Sequence, residues 1–317
     1  MNVYPVVLIL LLTICFLPSA AVAGEGSVNP GNNDGFAVVN GAKFYYRVMG
    51  EGAPLIFLHG GPGMFHEYFL PHVEPLANDF KLIFYDQRAS GNSSRNVPPE
   101  SVNPENFVKD LDGIREYFGL EKVSLLGHSW GGLLALRYAL TFPDRVERLI
   151  LVDSAPPNST LDTLNIKARE ERRTEEDFKI IQKITGSKAF QKLEIQAVKR
   201  YLQVSEKVKF FNPDLISELK ADLNKEKIEK LMWVAQLMNP FLEEYDIAED
   251  LSAITCSTLI IHGDHDTIPL ESAEIIHRQV RGSKLVVVKD CGHFPFIEAP
   301  EIFSREVISF MGKNSKH

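Results

Sequence analysis

Ser129 lies in Gly127-His128-Ser129-Trp130-Gly131-Gly132, between the apolar run Val123–Leu126 and a helical stretch, Gly131–Leu140. A G-x-S-x-G pattern between strand and helix is a nucleophile elbow: the flanking glycines let the two elements approach, and the serine Oγ stands above the sheet at a helix N-terminus. A serine hydroxyl is a weak nucleophile and needs a base, itself oriented by a carboxylate. Downstream, Ile260-Ile261-His262-Gly263-Asp264-His265-Asp266 and Lys289-Asp290-Cys291-Gly292-His293-Phe294 each follow a strand-like apolar run. Their order after the serine is the Ser…Asp…His order expected when an elbow supplies the nucleophile. His293 is therefore the expected base and Asp266 its carboxylate. The first residue after the strand-end glycine is still in the turn, whereas the third can project back. Asp264 and Asp153, which follows Leu149–Val152, are the alternatives.

Acyl transfer also needs donors for the tetrahedral oxyanion. The run Leu55–Leu58 ends in His59-Gly60-Gly61-Pro62-Gly63, a turn that exposes backbone N–H groups across from the elbow. The N–H of Gly61 and that of Trp130, the residue after the nucleophile, are the expected pair, while the Trp130 indole packs or lines the pocket. No G-x-x-x-x-G-K-[ST] phosphate loop is present. The spacing of His262, Asp264, His265 and Asp266 matches no H-E-x-x-H motif, and adjacent loop ligands would compete sterically for one ion. Neither a metal nor another cofactor is expected. His66, His72 and His277 read as surface histidines.

These residues require a sheet whose strands end along one edge. Phe36–Asn40 and Lys43–Val48 read as a hairpin around Asn40-Gly41. The short runs Leu55–Leu58, Leu82–Tyr85, Val123–Leu126 and Leu149–Val152 read as strands buried on both faces. Leu259–Ile261 and Leu285–Val288 continue the series. Helical stretches alternate with them: Met64–Leu76, Asn106–Phe118, Gly131–Leu140, a helix near Ser272–Val280 and a last one near Pro300–Phe310. Such alternation implies an α/β fold with a mainly parallel sheet and flanking helices. Catalytic groups in such sheets gather beyond the carboxyl ends of the strands. The segment 154–254 breaks the pattern, with long charged stretches at helical spacing such as Ala168–Ile184 and Lys209–Met238. It is expected to be an all-helical cap inserted between two halves of one core, 24–153 and 255–317.

The 317 residues are 44% apolar and 24% charged, with a net charge of −8, which excludes disordered and collagen-like chains. The absence of a basic run argues against a nucleic-acid partner. Met1–Ala23 carries no charged side chain, and Val6–Leu17 is a continuous apolar run followed by Ala21-Val22-Ala23. This is the form of a secretory signal peptide with its cleavage site, too short to span a bilayer, so the mature protein is expected to be secreted or periplasmic, with no stable membrane insertion; an uncleaved anchor is the alternative. Cleavage would leave Cys256 and Cys291. On parallel neighbouring strands they would sit at opposite ends, ~20 Å apart. That is well beyond the ~7 Å a disulfide allows between Cα atoms, so both are expected to be unpaired and mostly buried.

The chain resembles the α/β-hydrolase superfamily over 36–312. Within it, His59-Gly60-Gly61-Pro62-Gly63 followed by Met64-Phe65-His66-Glu67-Tyr68-Phe69-Leu70 is similar to the prolyl iminopeptidases and the related tricorn-associated aminopeptidases. So are Tyr85-Asp86-Gln87-Arg88-Ala89-Ser90-Gly91-Asn92-Ser93 and the elbow itself. The resemblance implies an α/β-hydrolase fold and a serine peptidase, proline iminopeptidase-like, that removes one N-terminal residue from a small peptide. Cap glutamates of the family bind the substrate ammonium. No W-x-x-W-E-like run marks such a residue here. Met232-Trp233-Val234 lacks the glutamate, and Glu218, Glu243 and Glu244 are equivalent candidates. An esterase, amidase or lactonase acting on a small acyl substrate would use the same machinery.

Overall fold

The computed structural model describes residues 34–312; the expected leader lies outside them. The chain opens with β1 (Asp34–Val39) and β2 (Ala42–Met49), joined through Asn40 at φ 49° and Gly41 at φ 70°. Two successive positive φ values are what a twisted two-residue hairpin demands, and Asn-Gly meets that need. There follow β3 (Ala53–Leu58), β4 (Phe80–Tyr85), α1 (Pro104–Tyr117), β5 (Val123–His128), α2 (Trp130–Thr141) and β6 (Val146–Val152). Five helices come next: α3 (Ser159–Glu171), α4 (Glu175–Thr185), α5 (Lys188–Gln191), α6 (Ile195–Glu206) and α7 (Lys225–Glu243). The chain then returns to β7 (Ser257–Gly263), α8 (Leu270–Gln279), β8 (Lys284–Val288), α9 (Pro295–Glu298) and α10 (Pro300–Met311). Between β6 and β7 the described residues form no strand, only an isolated bridge between Asn158 and Asp246.

All eight strands form one sheet in the order β1-β2-β4-β3-β5-β6-β7-β8, antiparallel at β1–β2–β4 and parallel thereafter. Alternate residues face opposite layers, as the twofold period of a strand requires. Ile56, Leu58, Leu125 and Leu151 pack with α1, α2 and α8, while Leu55, Phe57, Leu126 and Ile150 pack with α10. Both layers are apolar, which is why the central strands read as unbroken apolar runs. Among the described residues no helix is long and apolar enough to cross a membrane.

Three expectations change. The stretch Met64–Leu76 is not one α-helix but two 3-10 turns, His66–Phe69 and Glu74–Asn78. Pro71 and Pro75 supply no N–H and so deny a continuous helix its bonds. The stretch Ala168–Ile184 is split between α3 and α4, where Thr174 caps the second helix with a reciprocal Thr174–Asp177 pair. The stretch Lys209–Met238 is helical only from Lys225, because Pro213 opens a separate 3-10 turn and Asn224 starts α7 by accepting from the Lys227 N–H.

Candidate active site

Strand register brings the chemistry to one edge. Leu58 is level with Gly127, His128 with Val152, Val152 with Ile261, and Gly263 with Val288. The residues just past each strand are therefore neighbours: the His59 turn, Ser129, Asp153, the Asp264–Asp266 loop and the Cys291–His293 loop. Ser129 has φ 55° and ψ −124°, a conformation that costs an L-residue about 1–3 kcal/mol and persists only where its surroundings hold it. Here the Ser129 N–H donates to the Val152 carbonyl (3.1 Å), and its own carbonyl accepts from Ala155 (2.8 Å). The turn also requires glycine at 131, since a Cβ there would lie 2.1 Å from the Leu58 carbonyl oxygen.

His293 Nδ1 lies 2.8 Å from Asp266 Oδ2, both side chains buried. Asp266 Oδ1 accepts from the Ile268 N–H at 3.2 Å. Burial alone would raise the Asp266 carboxyl, but the His293 imidazole beside it outweighs burial and holds it well below the usual carboxylate range. Asp264 is exposed and its Oδ1 meets the Cys291 N–H at 3.4 Å. Asp153 is fully buried next to Asp266. One ligand atom each from Asp153, Asp266 and His293 lie within 4.8 Å of one another, although the 2.8 Å His293–Asp266 contact is a hydrogen bond. The members of the His262–Asp266 run diverge: His262 Nε2 meets the Ile268 carbonyl (3.1 Å), and His265 packs edge-on against Phe211.

A cavity of about 160 Å³ opens at this edge, lined by Ser129 and His293 together with Gly61 and Trp130. Trp130 is the first residue of α2, whose N-terminal N–H groups have no intrahelical acceptor. Trp130 is among the lining residues, and its indole donates to Gln87 Oε1 (2.9 Å) and packs edge-on against Phe107. Gln87 Nε2 in turn donates to the His59 carbonyl (2.8 Å). Gly60 sits so close to the elbow that a Cβ would come within 2.9 Å of Ser129 Cβ.

Two residues that sequence reasoning passed over lock this geometry. The Gly60 N–H donates to Tyr68 Oη (2.6 Å), which meets His128 Nδ1 (2.8 Å), while His128 Nε2 meets the His293 carbonyl (2.8 Å). A carbonyl can only accept, so Nε2 carries the imidazole proton and Nδ1 accepts from Tyr68. Burial pushes the His128 pKa far down, in keeping with a neutral ring. The chain of bonds joins the His59–Gly63 turn, the elbow and the Cys291–His293 loop. His66, expected at the surface, is buried instead: its N–H (3.0 Å) and Nδ1 (2.7 Å) meet Asp86 Oδ1. The adjacent Arg88 forms a buried two-point pair with Asp110, at 2.7 Å for each contact. Within the Tyr85–Ser93 stretch it is Gln87 that reaches the site residues, through His59 and Trp130.

The helical segment supplies the opposite wall, through Asp162, Asn165, Arg169 and Lys209. Glu206 bridges Arg169 (3.1 Å) and Lys209 (2.6 Å). Asp162 is a carboxylate in the lining; Glu218, Glu243 and Glu244 are not among the lining residues. It is held by Asn165 Nδ2 (3.0 Å), and Asn165 Oδ1 accepts from Thr267 Oγ1 (2.8 Å), next to Asp266. No motif marks Asp162. Its only sequence signal is its place in the first turn of α3, behind the N-cap Asn158.

Fold and site define a serine hydrolase of the α/β-hydrolase class, and a family model described as the alpha/beta hydrolase fold matches residues 53–175. A proline iminopeptidase of Lactobacillus acidophilus is 31% identical over 282 residues, covering 81% of this chain and 90% of that protein. The chain belongs to the proline iminopeptidase family. Among solved structures, a proline iminopeptidase from Mycobacterium smegmatis superposes with a TM-score of 0.66 at 21% identity, covering 88% of this chain and 97% of that one. An esterase from Exiguobacterium antarcticum gives 0.63 at 25% identity, covering 86% and 96%.

Proposed function

We propose that this protein is an exported aminopeptidase that releases single N-terminal residues from small peptides through an acyl-enzyme on Ser129. His293 takes the Ser129 proton as Oγ attacks the scissile carbonyl, and Asp266 holds the imidazole in the required tautomer. The N–H groups of Gly61 and Trp130 receive the oxyanion. His293 then protonates the leaving amine and activates the water that hydrolyses the acyl-enzyme. No cofactor takes part in this scheme.

The observation that carries this reading is the small cavity in which Asp162 shares the lining with Ser129 and His293. Pockets for drug-sized ligands occupy ~300–1,000 Å³. The smaller volume here suits one residue, and the Asp162 carboxylate suits its α-ammonium. Leu133, Leu242 and Ile268 give that residue an apolar wall, which suits proline. The relatives named proline iminopeptidase support the same substrate class.

Hydrolysis of Pro-, Ala- and Leu-anilides should exceed that of a short acyl ester, and S129A should abolish all of it. D162N should lower the amine-to-ester ratio of kcat/KM by about 10- to 100-fold, since a hydrogen bond to a charged group is lost. Faster ester cleavage with no turnover of free-amine substrates would overturn the aminopeptidase reading in favour of an esterase. The esterase from Exiguobacterium antarcticum supports that second reading. Export through residues 1–23 would be seen as a mature protein beginning at Gly24.

A further inference from the structure

Asp153 follows Val152 at the end of β6, between the elbow and the Asp266 loop. It is wholly buried, and its φ of 41° turns the chain sharply there. Its Oδ1 accepts from the Gly263 N–H (2.9 Å). Its Oδ2 is also buried and finds no donor. The groups that face it are unfavourable to a second negative charge. Asp266 and His262 come from β7 and the loop beyond, His293 and Cys291 from the loop after β8, and Glu298 from α9. His262 Nδ1 is 3.5 Å away, but the ring meets the Ile268 carbonyl through Nε2, so its proton lies there and Nδ1 offers only a lone pair. The cap cations near Asp266 are engaged elsewhere: Arg172 with the His265 and Asp266 carbonyls, Lys209 with Glu206.

A buried carboxylate with no donor on one oxygen and another carboxylate beside it would be heavily penalised. A proton on Oδ2 removes both faults, because the orphaned acceptor becomes a donor and the repulsion becomes a hydrogen bond. We propose that Asp153 is a positioning residue whose carboxyl, kept protonated in the working enzyme, donates from Oδ2 to the Asp266 carboxylate. This rests on the Ser129–His293–Asp266 assignment above. Burial first, and then the Asp266 charge, push the Asp153 pKa well up, in keeping with that state. Asp266 then accepts from His293 Nδ1, the Ile268 N–H and Asp153, and is held in place while remaining ionised. The two acids titrate as one pair sharing a proton.

An infrared spectrum of the folded wild-type protein at mildly alkaline pH should contain a protonated-carboxyl band. The band should shift with carboxyl-labelled aspartate and vanish in D153N. D153N keeps an N–H donor for Asp266 and an acceptor for Gly263, so its kcat/KM should fall by no more than about fivefold, with the acidic limb of the pH profile in place. D153V fills the space but donates nothing. It should lose about 10- to 100-fold and move that limb upward by about one unit, because an uncompensated Asp266 favours the protonated base. Absence of the band in wild type would overturn the proposal, as would a loss in D153N equal to that in D266N. If D153V does not fold, the wild-type band still decides. An S129A or D266N variant with full activity would instead bring down the triad assignment, leaving the band to report on Asp153 independently.

Discussion

Tyr68 Oη is the junction of the bonds that join three loops, so its removal should be felt in both stability and turnover. Y68F leaves the Gly60 N–H and His128 Nδ1 buried without partners. Each orphaned polar group costs about 1–3 kcal/mol, and urea unfolding should register a loss of that order. D266N should reduce kcat by about 10³- to 10⁴-fold with little change in KM, measured by steady-state hydrolysis, because it disturbs the tautomer of His293 rather than substrate contacts. That Ser129, Asp266 and His293 would gather at one sheet edge, with Asp266 rather than Asp264 on the His293 imidazole, was legible because each follows a strand end by a short spacing. Asp162 and Tyr68 were not. They come from segments whose placement depends on packing across the site, and nothing in their local sequence marks them. The burial of His66 was hidden for a related reason: its partner Asp86 is 20 residues away, just past the end of β4.

At the scale of elements, β5 and α2 must nearly touch for the elbow to form. G131A would drive a methyl into the Leu58 carbonyl. A loss of about 3 kcal/mol is expected in denaturant unfolding, from the strain of displacing backbone. On the opposite wall, Glu206 closes α6 against α3. Burial would raise its carboxyl, but Lys209 and Arg169 outweigh burial and bring its pKa to about 2, from an ordinary 4.5. The unfolded chain therefore binds this proton first as pH falls. Stability from the cluster is fully present above the ordinary carboxylate range and is lost as pH drops toward the folded value. Urea melts across that interval should show the decline, and E206Q should flatten it while costing about 2 kcal/mol at neutral pH. Strand positions were legible because two-faced burial leaves unbroken apolar runs. Helix limits were less so wherever proline or a cap residue overrode a long amphipathic pattern, as at Pro71, Pro213 and Asn224.

Across the whole molecule, the parallel pairing of β7 and β8 separates the two described cysteines. Cys256 precedes one strand, Cys291 follows the other, and both are unpaired. Cys291 is fully buried, and burial pushes its thiol far up, so it should resist alkylation until the protein unfolds while the half-buried Cys256 reacts earlier. Mass spectrometry of protein alkylated with and without denaturant would distinguish the two. The Glu298 carboxylate at the end of α9 has a wider reach. It accepts from the Gly292 N–H (2.9 Å), beside His293, and from the N–H groups of Phe211 (2.8 Å) and Asn212 (3.2 Å), which lie between α6 and α7. The His293 N–H itself donates to the Lys209 carbonyl (2.8 Å). Loosening the 209–212 segment therefore frees the amides that hold the Cys291–His293 loop. Gly292, His293, Phe211 and Asn212 should exchange their amide hydrogens for deuterium as one cooperative unit with a common opening free energy, and E298Q should speed all four together.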